Sequence, residues 1–337
     1  MRRLPMLCLI LGGCGFQSAA NGGGPSDGGS DGGATDTGSG GGSDGGSGSD
    51  GGSDGGSTAA TGCFPHWLDG TVSIDPTTIQ EIAELSSAGN DRNPWISDDG
   101  LRMYFTRDQG TSSSSDVYFT SRATTALPFD PPDLLPNLSS SGREGRVWLT
   151  PDELSLVESS ERSGPMDIHL ITRGQGQGFG SPNRNHLNSV NAVGTHRDDP
   201  FLSPGGLRLY LSADSGPAGK QQLLLATRPN LNADFGAPML VPGTRDNSSN
   251  MTDPTLYQDE QVLVFSAFPQ GSTNVDLWYA KRPTVTADFG APIPIPGIAT
   301  TGIEIDPVLG DDGCELYFSS TRKGDGKLHL FHARVTK

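Results

Sequence analysis

The sequence predicts an all-β protein: a five-bladed β-propeller of four-stranded antiparallel blades, closed into a ring by its own N-terminal segment. Three observations carry that expectation. One unit recurs five times at near-constant spacing, each copy alternates short apolar runs with turn residues, and outside one low-complexity tract the composition is that of an ordinary globular chain. The 337 residues include 48 Gly and 25 Pro and are only 33% hydrophobic, which would signal disorder if evenly spread. The glycines instead crowd between residues 21 and 62, leaving 63–337 long enough for one large domain. Lys and Arg total 23 against 39 Asp and Glu, a net charge of −16. That excess excludes nucleic acid as a partner, because phosphate backbones are held by clustered basic side chains.

Taken in order, residues 1–13 read as a signal. Arg2 and Arg3 precede the apolar stretch Leu4 to Leu11, too short for a stable span but suited to a secretory h-region. Leu11-Gly12-Gly13-Cys14 resembles the bacterial lipobox, in which small residues enter a peptidase cleft and the cysteine sulfur takes a diacylglycerol. The resemblance implies lipidation at Cys14 and a mature chain beginning there; an ordinary secretory signal with an incidental cysteine is the alternative. Gly15, rather than Asp, follows the cysteine, which under the enterobacterial rule favours the outer membrane.

Residues 14–62 form a Gly/Ser/Asp tract that lacks Lys and Arg and has no aromatic after Phe16, so nothing in it can bury. As a flexible coil it spans roughly 35–40 Å root-mean-square, a leash holding a folded domain off a membrane. Its Asp-Gly repeats lack the periodic large apolar residue of calcium-binding β-helices, and its Gly-x-Ser-x-Gly matches lack the strand and helix of a nucleophile elbow.

The repeated unit begins at Pro94-Trp-Ile-Ser-Asp-Asp-Gly-Leu-Arg-Met-Tyr-Phe105 and returns from Val147, Pro200, Pro254 and Pro307, at intervals of 53 or 54 residues. Pro-x-apolar starts a strand, Asp-Gly turns a hairpin, Leu-x-Tyr-Phe makes a second strand, and a run ending in Arg122, Arg173, Arg228, Arg282 or Arg334 makes a third. A proline-bearing run after Phe129, Phe179, Phe235 and Phe289 suits an outer edge strand. Unit two lacks the first proline and the turn glycine, and unit four has Asp259-Glu260 in place of Asp-Gly.

The motif Pro-x-x-Ser-x-Asp-Gly-x-x-Leu-Tyr-Phe resembles the WD40-like PD40 repeat of TolB-type β-propellers, over about residues 66–337. That resemblance implies a propeller working through protein contacts in the cell envelope. The fifth unit is followed by no outer strand, so the segment around His66 to Leu85 is expected to supply it and close the ring. Ile79, Ile82 and Leu85 behind Asp75-Pro76 also fit a short capped helix, and a six-bladed ring is the alternative architecture. Cys63 and Cys314 remain once the signal is set aside. An exported compartment permits a disulfide between them, with two free thiols as the alternative.

First strands line a propeller channel, so residues near their starts should share a rim. Immediately before the aligned proline position stand Asn93, Arg146, Asp199, Asp253 and Asp306; two residues earlier come Asp91, Glu144, Arg197, Met251 and Glu304. Such a mostly acidic ring suits a basic peptide or a hard cation, calcium at the channel being the one cofactor to consider. The alternative is that these residues only begin strands and bond neighbouring loops. The terminal arginines are expected to pair with local acids, and the scattered histidines offer no metal site. The expected function is that of a monomeric, membrane-anchored binding or scaffold module for an envelope protein or peptide, without enzymatic activity. A carboxylate-based glycan lyase or glycosidase is the competing reading.

Overall fold

The computed structural model describes residues 62–108, 114–215, 219–244, 249–268 and 274–336. The signal at 1–13, the lipidation site Cys14 and all of the tether before residue 62 lie outside the described residues. No helix among the described residues is long and apolar enough to cross a membrane.

After helix α1 (Phe64–Asp69) come two-residue strands β1 (Ser73–Ile74) and β2 (Gln80–Glu81). Five antiparallel blades then follow in chain order. Blade one is β3 (Asp91–Ile96), β4 (Arg102–Asp108), β5 (Ser115–Ser121) and β6 (Asp133–Leu134). Blade two is β7 (Glu144–Leu149), β8 (Ser155–Ser160) and β9 (Asp167–Thr172), its outer strand reduced to a bridge between Leu170 and Asn183. Blade three is β10 (Arg197–Leu202), β11 (Arg208–Ala213), β12 (Gln222–Thr227) and β13 (Met239–Leu240). Blade four is β14 (Asn250–Tyr257), β15 (Val262–Phe268), β16 (Asp276–Lys281) and β17 (Ile293–Pro294). Blade five is β18 (Glu304–Leu309), β19 (Glu315–Ser320) and β20 (His329–Thr336).

The missing outer strand of blade five comes from the front of the chain: β1 pairs Ile74 with Val335, and β2 pairs Glu81 with Phe331. Both readings of this segment hold in part, because 3-10 turns at Pro76–Thr78, capped by the Asp75 carboxylate, and at Ala83–Leu85 alternate with the short strands. Helix α1 fastens the seam. Its Trp67 is fully buried and donates Nε1–H to the Gly313 carbonyl at 3.0 Å, and Cys63 is disulfide-bonded to Cys314 with Cα atoms 4.9 Å apart.

The repeat's consensus residues hold blades to blades. Each of the first four terminal arginines donates Nε–H to a turn carbonyl of its own blade, at Gly100, Glu153, Gly206 or Glu260, and covers a phenylalanine ring 4.2–4.5 Å away. Arg122 and Arg282 also reach the tyrosine hydroxyl of the preceding blade, Tyr317 at 3.4 Å and Tyr210 at 3.3 Å. Pairing with local acids, the role expected from sequence, is therefore the lesser part of their work. Among these four it occurs where the turn glycine is missing. Gly100, Gly206 and Gly313 hold φ of +68°, whereas blades two and four put Glu153 (φ 54°) and Glu260 (φ 61°) into the left-handed region. That conformation costs roughly 1–2 kcal/mol for a residue with a Cβ. Each glutamate offsets it by bridging two arginines of adjacent blades, Arg102 and Arg173 at 2.7 Å, or Arg208 and Arg282 at 2.6 and 3.2 Å.

Candidate functional site

The first strands converge on the axis and give the channel two different ends. At their N-terminal end the backbone bulges. Asn93, Asp199, Asp253 and Asp306 all take positive φ, 54–61°, and strand register shifts beside each. The bulge turns the three aspartate side chains toward the next blade, while Asn93 Nδ2 donates to Thr106 Oγ1 within its own blade. Asp199 Oδ2 accepts the Asp253 N–H at 3.3 Å, Asp253 Oδ2 the Asp306 N–H at 3.4 Å, and Asp306 Oδ2 the Asn93 N–H at 3.0 Å. This relay runs around four blades and stops at the fifth, where blade two carries Arg146.

Arg146 is fully buried, and none of its three guanidinium nitrogens has a hydrogen-bond partner in the structure. Its charge still acts on Asp199 and Asp306. Burial, then repulsion from Asp253 and Asp198, raises the Asp199 carboxyl well above the usual carboxylate range. Burial and then the Asp253 charge push Asp306 up to about 7, with Arg146 opposing.

The residues two positions earlier do not join this ring. Asp91 pairs with Arg107 at 2.5 Å and accepts the Ser87 N–H at 2.8 Å. Glu144 accepts from Ser140 and Ser160, and Glu304 from Thr300, Ser320 and Arg322. Arg197 pairs with Asp167 at 2.5 Å and donates to the Val193 and Gly194 carbonyls. All four tie the loop before a blade to that blade. Met251 is buried in the core.

Ser159, Asp198 and His196 also meet, but in an order that does not activate the serine. Ser159 Oγ donates to Asp198 Oδ1 while His196 Nε2 lies 3.5 Å from Asp198 Oδ2, so no imidazole faces the hydroxyl. Among the described residues no group of three or more side chains is placed to hold a metal ion.

The C-terminal ends of the first strands open into an apolar funnel, a cavity of about 180 Å³ walled by Trp95, Trp148, Phe201, Leu256 and Val308. Trp148 and Phe201 meet with ring centroids 4.6 Å apart and planes tilted by 45°, and Trp95 is fixed by its Nε1–H bond to the Leu149 carbonyl at 3.1 Å. Asp98 and Asp311 stand exposed on its rim. Sequence reasoning passed over this funnel because its residues look like ordinary strand starters. The available signal was the position just after the aligned proline, where Trp95, Trp148 and Phe201 are bulkier than strand pairing requires.

No known family profile matches the chain, and no curated protein matches it. Solved structures with a similar backbone include the catalytic domain of the Coprinopsis cinerea GH62 α-L-arabinofuranosidase, with TM-score 0.53 and 12% identity over 74% of this chain and 93% of that one. The Podospora anserina α-L-arabinofuranosidase PaAbf62A gives 0.51 and 11% over 74% and 91%. TolB from Acinetobacter baumannii gives 0.46 and 15% over 74% of this chain, which spans 56% of that TolB's length. Resemblance to the two arabinofuranosidase structures, at 11–12% identity, is a resemblance of fold alone.

Proposed function

We propose that this protein is an exported, lipid-anchored β-propeller that binds a protein or peptide partner in the cell envelope through the funnel at its channel mouth. The carrying observation is that the 180 Å³ funnel is walled by aromatic and aliphatic side chains from all five blades. Apolar cavities of roughly 150 Å³ accept a benzene-sized guest, so the space suits one large apolar side chain. Lipidation at Cys14 and the tether 14–62 would hold the propeller at a membrane, with reach for a partner. The test is cross-linking in cells of the full chain, carrying a photoreactive residue at Asp98 or Asp311. A discrete adduct that disappears with Trp148→Ala, in a variant that still folds by circular dichroism, supports the reading. Adducts that are identical with and without the Trp148 side chain overturn it.

A second reading, a carboxylate-dependent glycan-active enzyme, draws on the axial cluster of Asp199, Asp253 and Asp306 and on the glycosidase names of the similar structures. Against it, all three carboxylates are buried and each receives a backbone N–H from the next blade. Turnover on a glycan panel, abolished by Asp199→Asn or Asp253→Asn, would establish it instead.

A further inference from the structure

The funnel is continuous with a second depression between blades one and five. Ile96, Asp98 and Asp311 line both, and the depression adds Asp99, Asp312 and Glu315. Among the described residues Asp98, Asp311 and Asp312 form no ion pair, while Asp99 is held by Arg102 at 3.1 Å and Glu315 lies 3.9 Å from Arg334. Arg122, His332 and Arg334 are the basic residues lining the same depression, against five carboxylates. Arg122 is itself engaged by the Tyr317 hydroxyl and the Gly100 carbonyl. Partial enclosure, and then the charges of Asp311, Asp99 and Glu153, raise the Asp98 carboxyl, so crowding at this rim is relieved by an incoming cation.

An apolar cavity and an excess of negative charge therefore meet along one edge. We infer that the partner segment is a cationic peptide in which one aromatic or large aliphatic side chain fills the funnel and adjacent lysines or arginines lie along the Asp98–Asp311–Asp312 groove. This inference rests on the proposed function and specifies the partner's chemistry at the same site. The apolar anchor supplies desolvated contact area, and the basic flank supplies direction and association rate. A neutral or acidic segment would leave the groove's charges facing a low-dielectric contact or one another.

The experiment uses the full oxidised chain and synthetic fluorescent peptides of one length: a tryptophan flanked by lysines, the same peptide with glutamates for lysines, and the lysine peptide with alanine for tryptophan. The first should bind at low salt at least about tenfold more tightly than either other, and its affinity should fall steeply as salt rises. Asp98→Asn combined with Asp311→Asn, both exposed substitutions, should reduce binding of the lysine peptide about fivefold or more without lowering the unfolding midpoint. Equal affinity for lysine and glutamate peptides, or indifference to the double asparagine substitution, overturns the cationic-partner inference while leaving funnel binding intact. If tryptophan and alanine peptides bind alike, the funnel reading itself fails. Because wild-type protein is used with all three peptides, a variant that does not fold cannot obscure the outcome.

Discussion

Glu158 occupies a place where the other four blades hold Phe105, Leu211, Phe265 and Phe318, and it faces His169 where those blades set Tyr118, Leu224, Trp278 and Phe331. Both residues are buried; Glu158 lies 2.5 Å from Arg162, and neither ring nitrogen of His169 has a partner. Burial, more than Arg162 can offset, raises Glu158 from 4.5 to about 8. Burial, and then the Arg162 charge, lowers His169 from 6.5 to about 4. The raised carboxyl contributes stability below pH 4.5 that is lost as pH climbs to 8. The lowered imidazole contributes stability above pH 6.5 that is lost as pH falls to 4. The two slopes cancel between pH 4.5 and 6.5, leaving Glu158 alone to erode stability above that window. Glu158→Gln keeps an acceptor for Arg162 and removes the titration. Its stability relative to wild type should therefore rise by about 1.4 kcal/mol per pH unit, reaching an upper limit of about 3 kcal/mol at pH 7 over its value at pH 4.5. Urea unfolding of both proteins at pH 5, 6, 7 and 8 measures this difference. A difference that stays constant with pH, with the glutamine variant weaker throughout, would mean that Glu158 is ionised in the fold and that its ion pair outweighs burial.

Other outcomes follow from the same contacts. Tyr210→Phe removes a hydroxyl that meets Arg282 and Arg208 and donates to Glu260, and should lower the unfolding free energy by about 1–2 kcal/mol in urea. Replacing Cys63 and Cys314 together with serine should cost about 3–5 kcal/mol, and reductant should then shift the melting temperature of wild type but not of the variant. Arg146→Met removes the charge that opposes protonation of Asp199 and Asp306. Their folded values then move further above 3.8, so the deficit should be larger at pH 8 than at pH 5, and adding Asp253→Asn should recover part of it. Equal deficits at both pH values would place Arg146 outside the ring's electrostatics.

The ring was legible because its signal is repetition. Five copies at 53 or 54 residues leave little freedom in blade number, and the front of the chain pairs with the third strand of the fifth blade. The convergence of Asn93, Arg146, Asp199, Asp253 and Asp306 could also be anticipated, since equivalent positions of a symmetric ring must meet on the axis. What a bulge does at those positions could not. A positive φ at a non-glycine residue depends on the hydrogen bond waiting in the next blade, and that bond joins residues more than fifty apart. The same holds for Glu153 and Glu260, which look in sequence like defective turns and serve in the structure as inter-blade clamps.

This contrast indicates where specificity resides in a chain built from near-copies. Consensus positions, the Tyr of Leu-x-Tyr-Phe and the terminal Arg, do the same mechanical work in several blades and are satisfied by neighbouring blades. A ligand on the axis touches five blades at once, and an asymmetric ligand requires five different contributions. The positions that vary while facing the channel are therefore the informative ones: Asn, Arg, Asp, Asp, Asp before the aligned proline, and Trp95, Trp148, Phe201, Leu256 and Val308 at the funnel. The three aspartates of the first set spend their polarity on neighbouring backbone and leave little for a guest, whereas the second set walls an open cavity beside carboxylates that form no ion pair. On physical grounds the partner belongs at the strand-end mouth. Exchanging Trp148 with the Leu256 of blade four, which faces it across the same funnel, should thus redirect binding without disturbing the ring's closure.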